Sequence, residues 1–143
     1  MDIVKYYEDI VSKRHSVREY EDKQVSEEII TEINSYTKSI VGLTDADTEI
    51  MIIDGSKYHG MINAAGYNGF LVKAPKYILI LSDESKHYLE NAGYIGQDIT
   101  LKITGLGLDT CWMTIVNPDA LKKAIGIDNN KIPAALIAFG YGK

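Results

Sequence analysis

The sequence predicts an α+β fold in which helices flank a mixed central β-sheet. Two stretches with helical periodicity open the chain, four later apolar runs have the length of strands, and the longest helical stretch lies between two of those runs. The chain has 143 residues, 45% of them hydrophobic, which is enough for one core. We therefore expect a single domain over residues 1–143, with the order α-α-β-loop-β-α-β-α-β.

The first two elements are amphipathic helices. Apolar residues at helical spacing predict a helix over 2–13, and Asp2 supplies an N-cap for it. A second helix is predicted over 26–42, opening at a serine cap followed by two glutamates. Val25 and Ile30 stand at the positions of a hydrophobic staple around that cap, which strengthens the predicted start.

The rest of the chain alternates strands with helices. Strands are predicted at 49–54, 77–81, 108–116 and 134–139. The uninterrupted apolar run 77–81 indicates a strand covered on both faces. The longest helix is predicted over 86–104, and a short one opens at Pro118. Residues 55–74 are rich in glycine and asparagine and predict a short helix and a loop.

Composition excludes several classes of protein. A net charge of −5 and a pI near 5.1 argue against nucleic acid as the main partner, because a phosphate backbone needs a basic face. No apolar run approaches the roughly 18 residues of a membrane span, and the first residues have no signal-peptide pattern. The single cysteine, Cys111, rules out an internal disulfide and fits a reducing compartment. We expect a soluble cytoplasmic protein.

A cationic segment follows the first helix. Lys13, Arg14 and Arg18 fall within six residues, with Ser16 between the arginines. Guanidinium groups bind oxyanions with two parallel hydrogen bonds, and a nearby hydroxyl adds a short donor, so this pattern suits a phosphate group. The alternative interpretation is a solvated helix end.

Three further motifs accompany this segment. They are Gly105–Trp112 (GLGLDTCW), Ala74–Ile80 (APKYILI) and Ile137–Gly142 (IAFGYG). Together with the segment KRHSVREY at 13–20, they occur in the order found in the nitroreductase family of FMN-dependent reductases. The chain resembles that family over nearly its whole length.

The resemblance implies an FMN site with several parts. Arg14 and Ser16 would bind the phosphate, and His15 would lie beside the ribityl chain and the ring edge. Arg18 would place its charge near N1 and the C2 carbonyl, where a cation favours the reduced flavin. A main-chain N–H after the tryptophan would donate to N5, which by position falls on Met113 or Thr114.

Two departures from the family pattern affect this site. The family's Asn-x-Gln-Pro-Trp segment after the second helix is missing, so Asn68 is either a substitute ring contact or simply a turn residue before glycine. The family also usually continues beyond the last strand with a basic phosphate ligand. Here, either the sequence is cut short, or the phosphate relies on Arg14, Arg18 and Lys143.

The predicted long helix carries small and polar residues along one side. They are Gly93, Gly96, Gln97, Thr100 and Thr104. This stripe fits tight packing within one subunit. The resemblance instead implies that the long helix pairs across a two-fold axis, giving a homodimer with the flavin site at the subunit interface.

The expected function is that of an FMN-dependent oxidoreductase. NAD(P)H would reduce the bound flavin, which would pass electrons to a nitroaromatic, quinone or flavin acceptor. The cofactor carries this chemistry, so no catalytic acid or nucleophile is required, and His59 and His87 lack metal-ligand spacing. The alternatives are a flavin-binding module for storage or sensing without efficient turnover, and a specialised reductase such as a dehalogenase.

Overall fold

The structure is a computed structural model that describes residues 2–66 and 69–143. The helices in this part of the chain are Ile3–Asp9 (α1), Glu27–Thr37 (α2), Tyr58–Met61 (α3), Tyr88–Gly105 (α4) and Pro118–Ile125 (α5). The strands are Thr48–Asp54 (β1), Ala65–Gly66 (β2), Lys76–Ser82 (β3), Asp109–Ile115 (β4) and Ile132–Gly140 (β5). Short 3₁₀ turns span Val11–Lys13 and Gly55–Lys57. Within this part, no helix combines the length and apolarity needed to cross a bilayer.

The sheet has the strand order β1-β3-β5-β4-β2, and every pairing between these strands is antiparallel. The α+β class is confirmed, but the expectation of a mixed sheet is wrong in this respect. β3 and β4 run in the same direction across the α4 connection, yet β5 lies between them and runs opposite to both. Among the described residues, the one parallel contact is an isolated bridge between Ser16 and Thr110.

The core lies on both faces of the sheet. Tyr77, Leu79 and Leu81 of β3 face α3 and α5, while Ile78 and Ile80 face α2 and α4. All five side chains are fully buried, which confirms the predicted strand with cover on both sides. Burial of each large apolar side chain stabilises the fold by about 1.5–3 kcal/mol, so the sheet is a rigid frame for the segments along its edge.

The first two helices are shorter than predicted. Ser26 caps α2 through its Oγ, as expected, but the helix ends at Thr37. The loop after it is held by Asn91 of α4, whose side-chain oxygen accepts the main-chain N–H groups of Leu43 (2.7 Å) and Thr44 (3.2 Å). Likewise, α1 ends at Asp9 because the next residue leaves the helical conformation and a 3₁₀ turn follows.

The stripe of small residues on α4 divides between two environments. Gly96 lies against Trp112 of β4, and a Cβ added there would come within 2.3 Å of the indole. Thr100 is fully buried and donates to Gln97 O. Gly93 and Gln97 are exposed. Packing within the subunit therefore explains part of the stripe, and the outward positions remain open to a partner.

Candidate functional site

The cationic segment is fixed against the edge of the sheet. Val17 N–H donates to Thr110 O at the start of β4 (2.9 Å), and Glu21 N–H donates to Tyr141 O (2.7 Å). The main-chain N–H of Lys143 donates in turn to Glu19 O (3.0 Å). These bonds tie residues 14–21 to β4 and to the chain after β5. The segment is therefore an ordered part of the sheet edge rather than a frayed helix end.

Arg14 of this segment is fixed on β4 by its side chain. It is partly buried, and its Nη1 donates to Thr110 Oγ1 at 3.0 Å. This bond uses one of the five N–H donors of the guanidinium group. Ser16 lies beside the same threonine through its bridge to Thr110. The structure thus places Arg14 and Ser16, the two residues predicted to bind a phosphate, against the same residue of β4, Arg14 through its side chain and Ser16 through its main chain.

His15 lies between Arg14 and Ser16 in the sequence, and its side chain is exposed. Its Nδ1 is 2.9 Å from Lys13 O, and because a carbonyl oxygen only accepts, Nδ1 carries the proton in this contact. In the neutral ring, Nε2 is then an acceptor. The imidazole can therefore accept a hydrogen bond from a hydroxyl-bearing ligand at the surface.

Arg18 lies farther along the segment and is exposed. Burial raises the pKa of the nearby Cys111 thiol, and the positive charges of Arg18 and Arg14 oppose this effect, so both guanidinium groups lie within electrostatic reach of β4. Cys111 is 1% exposed, and this burial disfavours the thiolate form, as is typical of a structural thiol. Arg18 also lines a cavity of about 670 Å³ whose charged lining is mixed: the cations are Arg18, Lys73 and Lys143, and the carboxylates are Glu19, Glu21, Asp22 and Asp54.

The two predicted main-chain positions on β4 differ in direction. Met113 pairs with Leu136 of β5, whereas Thr114 pairs with Gly66 of β2 on the opposite edge. Residues of a strand alternate between its two edges, and the bond from Val17 to Thr110 O fixes which set faces away from β5. Met113 therefore directs its N–H to β5, and only Thr114 of the two faces the outer edge.

The residue that sequence reasoning missed is Trp112. By the same alternation, its main-chain N–H and C=O face the outer edge, between the contacts of Thr110 and Thr114. No strand among the described residues pairs with Trp112 there. The sequence indicated this tryptophan only as a motif residue, because the outward direction of Thr110, from which alternation leads to Trp112, is set by the tertiary contact with Val17.

The far end of β4 borders a second concavity. A cavity of about 390 Å³ is lined by Ile62, Asn63, Ala65, Gly66, Gly69, Thr114 and Val116. Asn68, predicted as a possible ring contact, lies outside the described residues. The described residues Gly66 and Gly69 belong to the lining of this cavity.

Metal binding has no structural support in the described ranges 2–66 and 69–143. No three His, Cys, Asp or Glu side chains come together there in a way that could hold a metal ion. The site consists of the cationic segment at the start of β4 and the cavity at the end of β4. The outer edge of this strand, with its outward-facing main-chain groups, connects the two. Such an edge suits an elongated, phosphorylated and partly aromatic ligand.

The structure is an α+β fold, with helices on both faces of an antiparallel sheet and a cationic segment along one edge of that sheet. The family model described as "Putative TM nitroreductase" matches residues 6–143. The chain therefore belongs to the nitroreductase family, whose fold and oxidoreductase class it shares.

Solved structures with the same fold include an FMN-dependent nitroreductase of Clostridium difficile R20291. It has 23% identity and a TM-score of 0.76, over 92% of this chain and 84% of that one. A nitroreductase family protein of Clostridium novyi NT has 18% identity and a TM-score of 0.80, over 100% and 86% of the two chains. A Bacteroides thetaiotaomicron protein named "Putative NADH dehydrogenase/NAD(P)H nitroreductase" has 25% identity and a TM-score of 0.79, over 96% and 86%. The chain has no match among curated proteins.

Proposed function

We propose that this protein is an FMN-dependent oxidoreductase that uses NAD(P)H as its electron donor. One observation carries the proposal: Arg14 and Ser16 are both held on Thr110, at the start of the strand whose far end borders a cavity. Membership of the nitroreductase family supports it, as do the names of two structural neighbours, one FMN-dependent and one an NAD(P)H nitroreductase.

The dimensions of the strand edge fit this cofactor. Thr110 and Thr114 are four residues apart on β4, which at the rise of a strand is about 13 Å. That span matches an extended flavin mononucleotide with its phosphate at Arg14 and Ser16 and its ring beside Thr114. Between these points the outward main chain of Trp112 offers one N–H and one C=O to a planar heterocycle.

Each residue then has a definite task. Arg14 and Ser16 bind the phosphate, and His15 accepts from a ribityl hydroxyl. Arg18, predicted to lie beside the ring, lines the cavity with Lys73 and Lys143 instead of the one beside Thr114, so its charge acts at the phosphate end of the site. When bound, FMN supplies hydride transfer between NAD(P)H and an acceptor such as a nitroaromatic, a quinone or a free flavin.

We also infer that the protein functions as a homodimer. α1 has seven residues, none of them buried, and its Ile3 and Tyr7 are 75% and 60% exposed. So short a helix is only marginally stable in water, and an apolar face without cover favours a partner surface. Leu89 and Tyr94 on α4 add exposed apolar area. Light scattering on the purified protein tests this: a dimer is expected, and a monomer at micromolar concentration contradicts it.

Anaerobic reduction tests the proposed activity. Purified protein reconstituted with FMN is expected to lose its absorbance near the flavin maximum when NADH or NADPH is added, and to recover it with a quinone. A protein that binds FMN but stays oxidised with both nucleotides would instead be the storage or sensing module. Protein that binds no FMN would refute both functions.

A further inference from the structure

Thr110 contacts the cationic segment through both its side chain and its main chain. Its Oγ1 accepts from Arg14 Nη1 at 3.0 Å, its main-chain oxygen accepts from Val17 N–H at 2.9 Å, and it forms the bridge to Ser16. The threonine is fully buried, and it lies 96 residues from Arg14 in the sequence. It is therefore the point at which the sheet determines where the cationic segment lies.

The side-chain contact has a specific consequence for Arg14. A free arginine side chain samples many rotamers, and ordering it costs up to about 2 kcal/mol. A buried hydroxyl on a central frame removes much of this freedom before any ligand arrives. A hydrogen bond from a charged donor is also stronger than one between neutral groups, so the guanidinium is held in place by a bond that uses only one of its five N–H donors.

We propose that Thr110 is a positioning residue for flavin phosphate recognition, acting through the guanidinium of Arg14. This inference rests on the proposed function, because it concerns the same FMN site. Thr110 contributes no charge and need not touch the ligand. Its hydroxyl sets the position of Arg14, and its main chain sets that of the Ser16 backbone, so that both reach one phosphate group.

The test compares two ligands that differ only in the phosphate. Thr110→Val keeps the shape of the side chain and the main-chain bond to Val17, but removes the hydroxyl. It is expected to weaken FMN binding about 10-fold and to leave riboflavin binding unchanged, as measured by quenching of flavin fluorescence. Thr110→Ser restores the hydroxyl and is expected to bind FMN within about twofold of the original chain.

A double-mutant cycle tests whether the effect runs through Arg14. In an Arg14→Ala background, Thr110→Val is expected to change FMN affinity by less than about twofold, because the group that it positions is gone. Thr37→Val, which removes another buried hydroxyl on α2, is the matched control and should leave the affinities for both flavins unchanged. If Thr110→Val fails to fold, Thr110→Cys replaces it, since a thiol is a weak acceptor.

The outcomes separate this inference from the proposed function. Equal losses of FMN and riboflavin binding, unchanged FMN binding, or a full effect of Thr110→Val without Arg14 would each overturn the positioning role. Those results leave FMN binding by the original chain intact. If the original chain binds neither flavin, the proposed function itself fails.

Discussion

Gly96→Ala probes the packing that holds β4 beneath the proposed site. The added methyl group would lie 2.3 Å and 2.9 Å from two carbons of the Trp112 ring, closer than real contacts allow, so the ring or the α4 backbone must shift. Overpacking of this kind typically costs about 1–3 kcal/mol. Replacing glycine by alanine inside a helix also gains about 1 kcal/mol of helix propensity, which partly hides that cost.

Gly93→Ala provides the matched control. It lies one turn earlier on the same helix, and its added methyl meets no atom within 4 Å. The propensity gain is common to both variants, so the difference between them isolates the steric cost at Trp112. Urea unfolding at one fixed protein concentration should give Gly96→Ala a free energy of unfolding about 1–3 kcal/mol below that of Gly93→Ala.

A second substitution identifies the cause of that difference. Trp112→Phe in the Gly96→Ala background shortens the ring that meets the new methyl group, and should recover part of the loss. Equal stabilities for Gly96→Ala and Gly93→Ala would refute the reasoning, because the α4–β4 contact would then not require glycine. A stability difference that persists in full with Trp112→Phe would place the strain elsewhere.

Three further predictions concern polar side chains that are buried or partly buried. Tyr20→Phe should raise the free energy of unfolding by about 1 kcal/mol, because the Tyr20 hydroxyl is buried without a hydrogen-bond partner among the described residues, and a lower urea midpoint would contradict this. Asn91→Ala should cost about 2–4 kcal/mol and speed proteolysis within residues 38–47, the loop whose N–H groups it accepts; unchanged cleavage would argue against that anchor. The hydrogen bond to Asp98 raises the pKa of Tyr36 to about 12, so the native state keeps this proton to a higher pH than the unfolded state does. The contribution of this bond to stability is therefore present below pH 10 and is lost between pH 10 and 12. Tyr36→Phe should flatten that part of the curve of unfolding free energy against pH.

Local signals predicted the helices and strands well. The Ser26 cap, the apolar run of β3 and the proline at the start of α5 act within a few residues, so the sequence carries them directly. The antiparallel order was not predictable in the same way. It depends on β5, the last strand, entering between two earlier ones, which no local pattern encodes.

The features of the candidate site also divide into those that a short stretch of sequence indicates and those that depend on contacts between distant residues. Arg14, Ser16 and Arg18 were identified as candidates from the sequence because they cluster in one short segment. The contacts that place them were not, since Thr110 is 96 residues from Arg14 and looks like any other strand threonine. For the same reason, the sequence named Met113 beside Thr114 and did not identify Trp112, because register with β5 decides which main-chain groups face outward.

Equilibrium titration with FMN, comparing the original chain with Arg14→Ala, tests the central claim most directly. If the cationic segment binds the phosphate from the start of β4, the original chain should bind one FMN per subunit. Arg14→Ala should then weaken binding at least about 10-fold, because a charge-assisted contact is lost. Equal affinity for FMN in the two proteins would contradict the account.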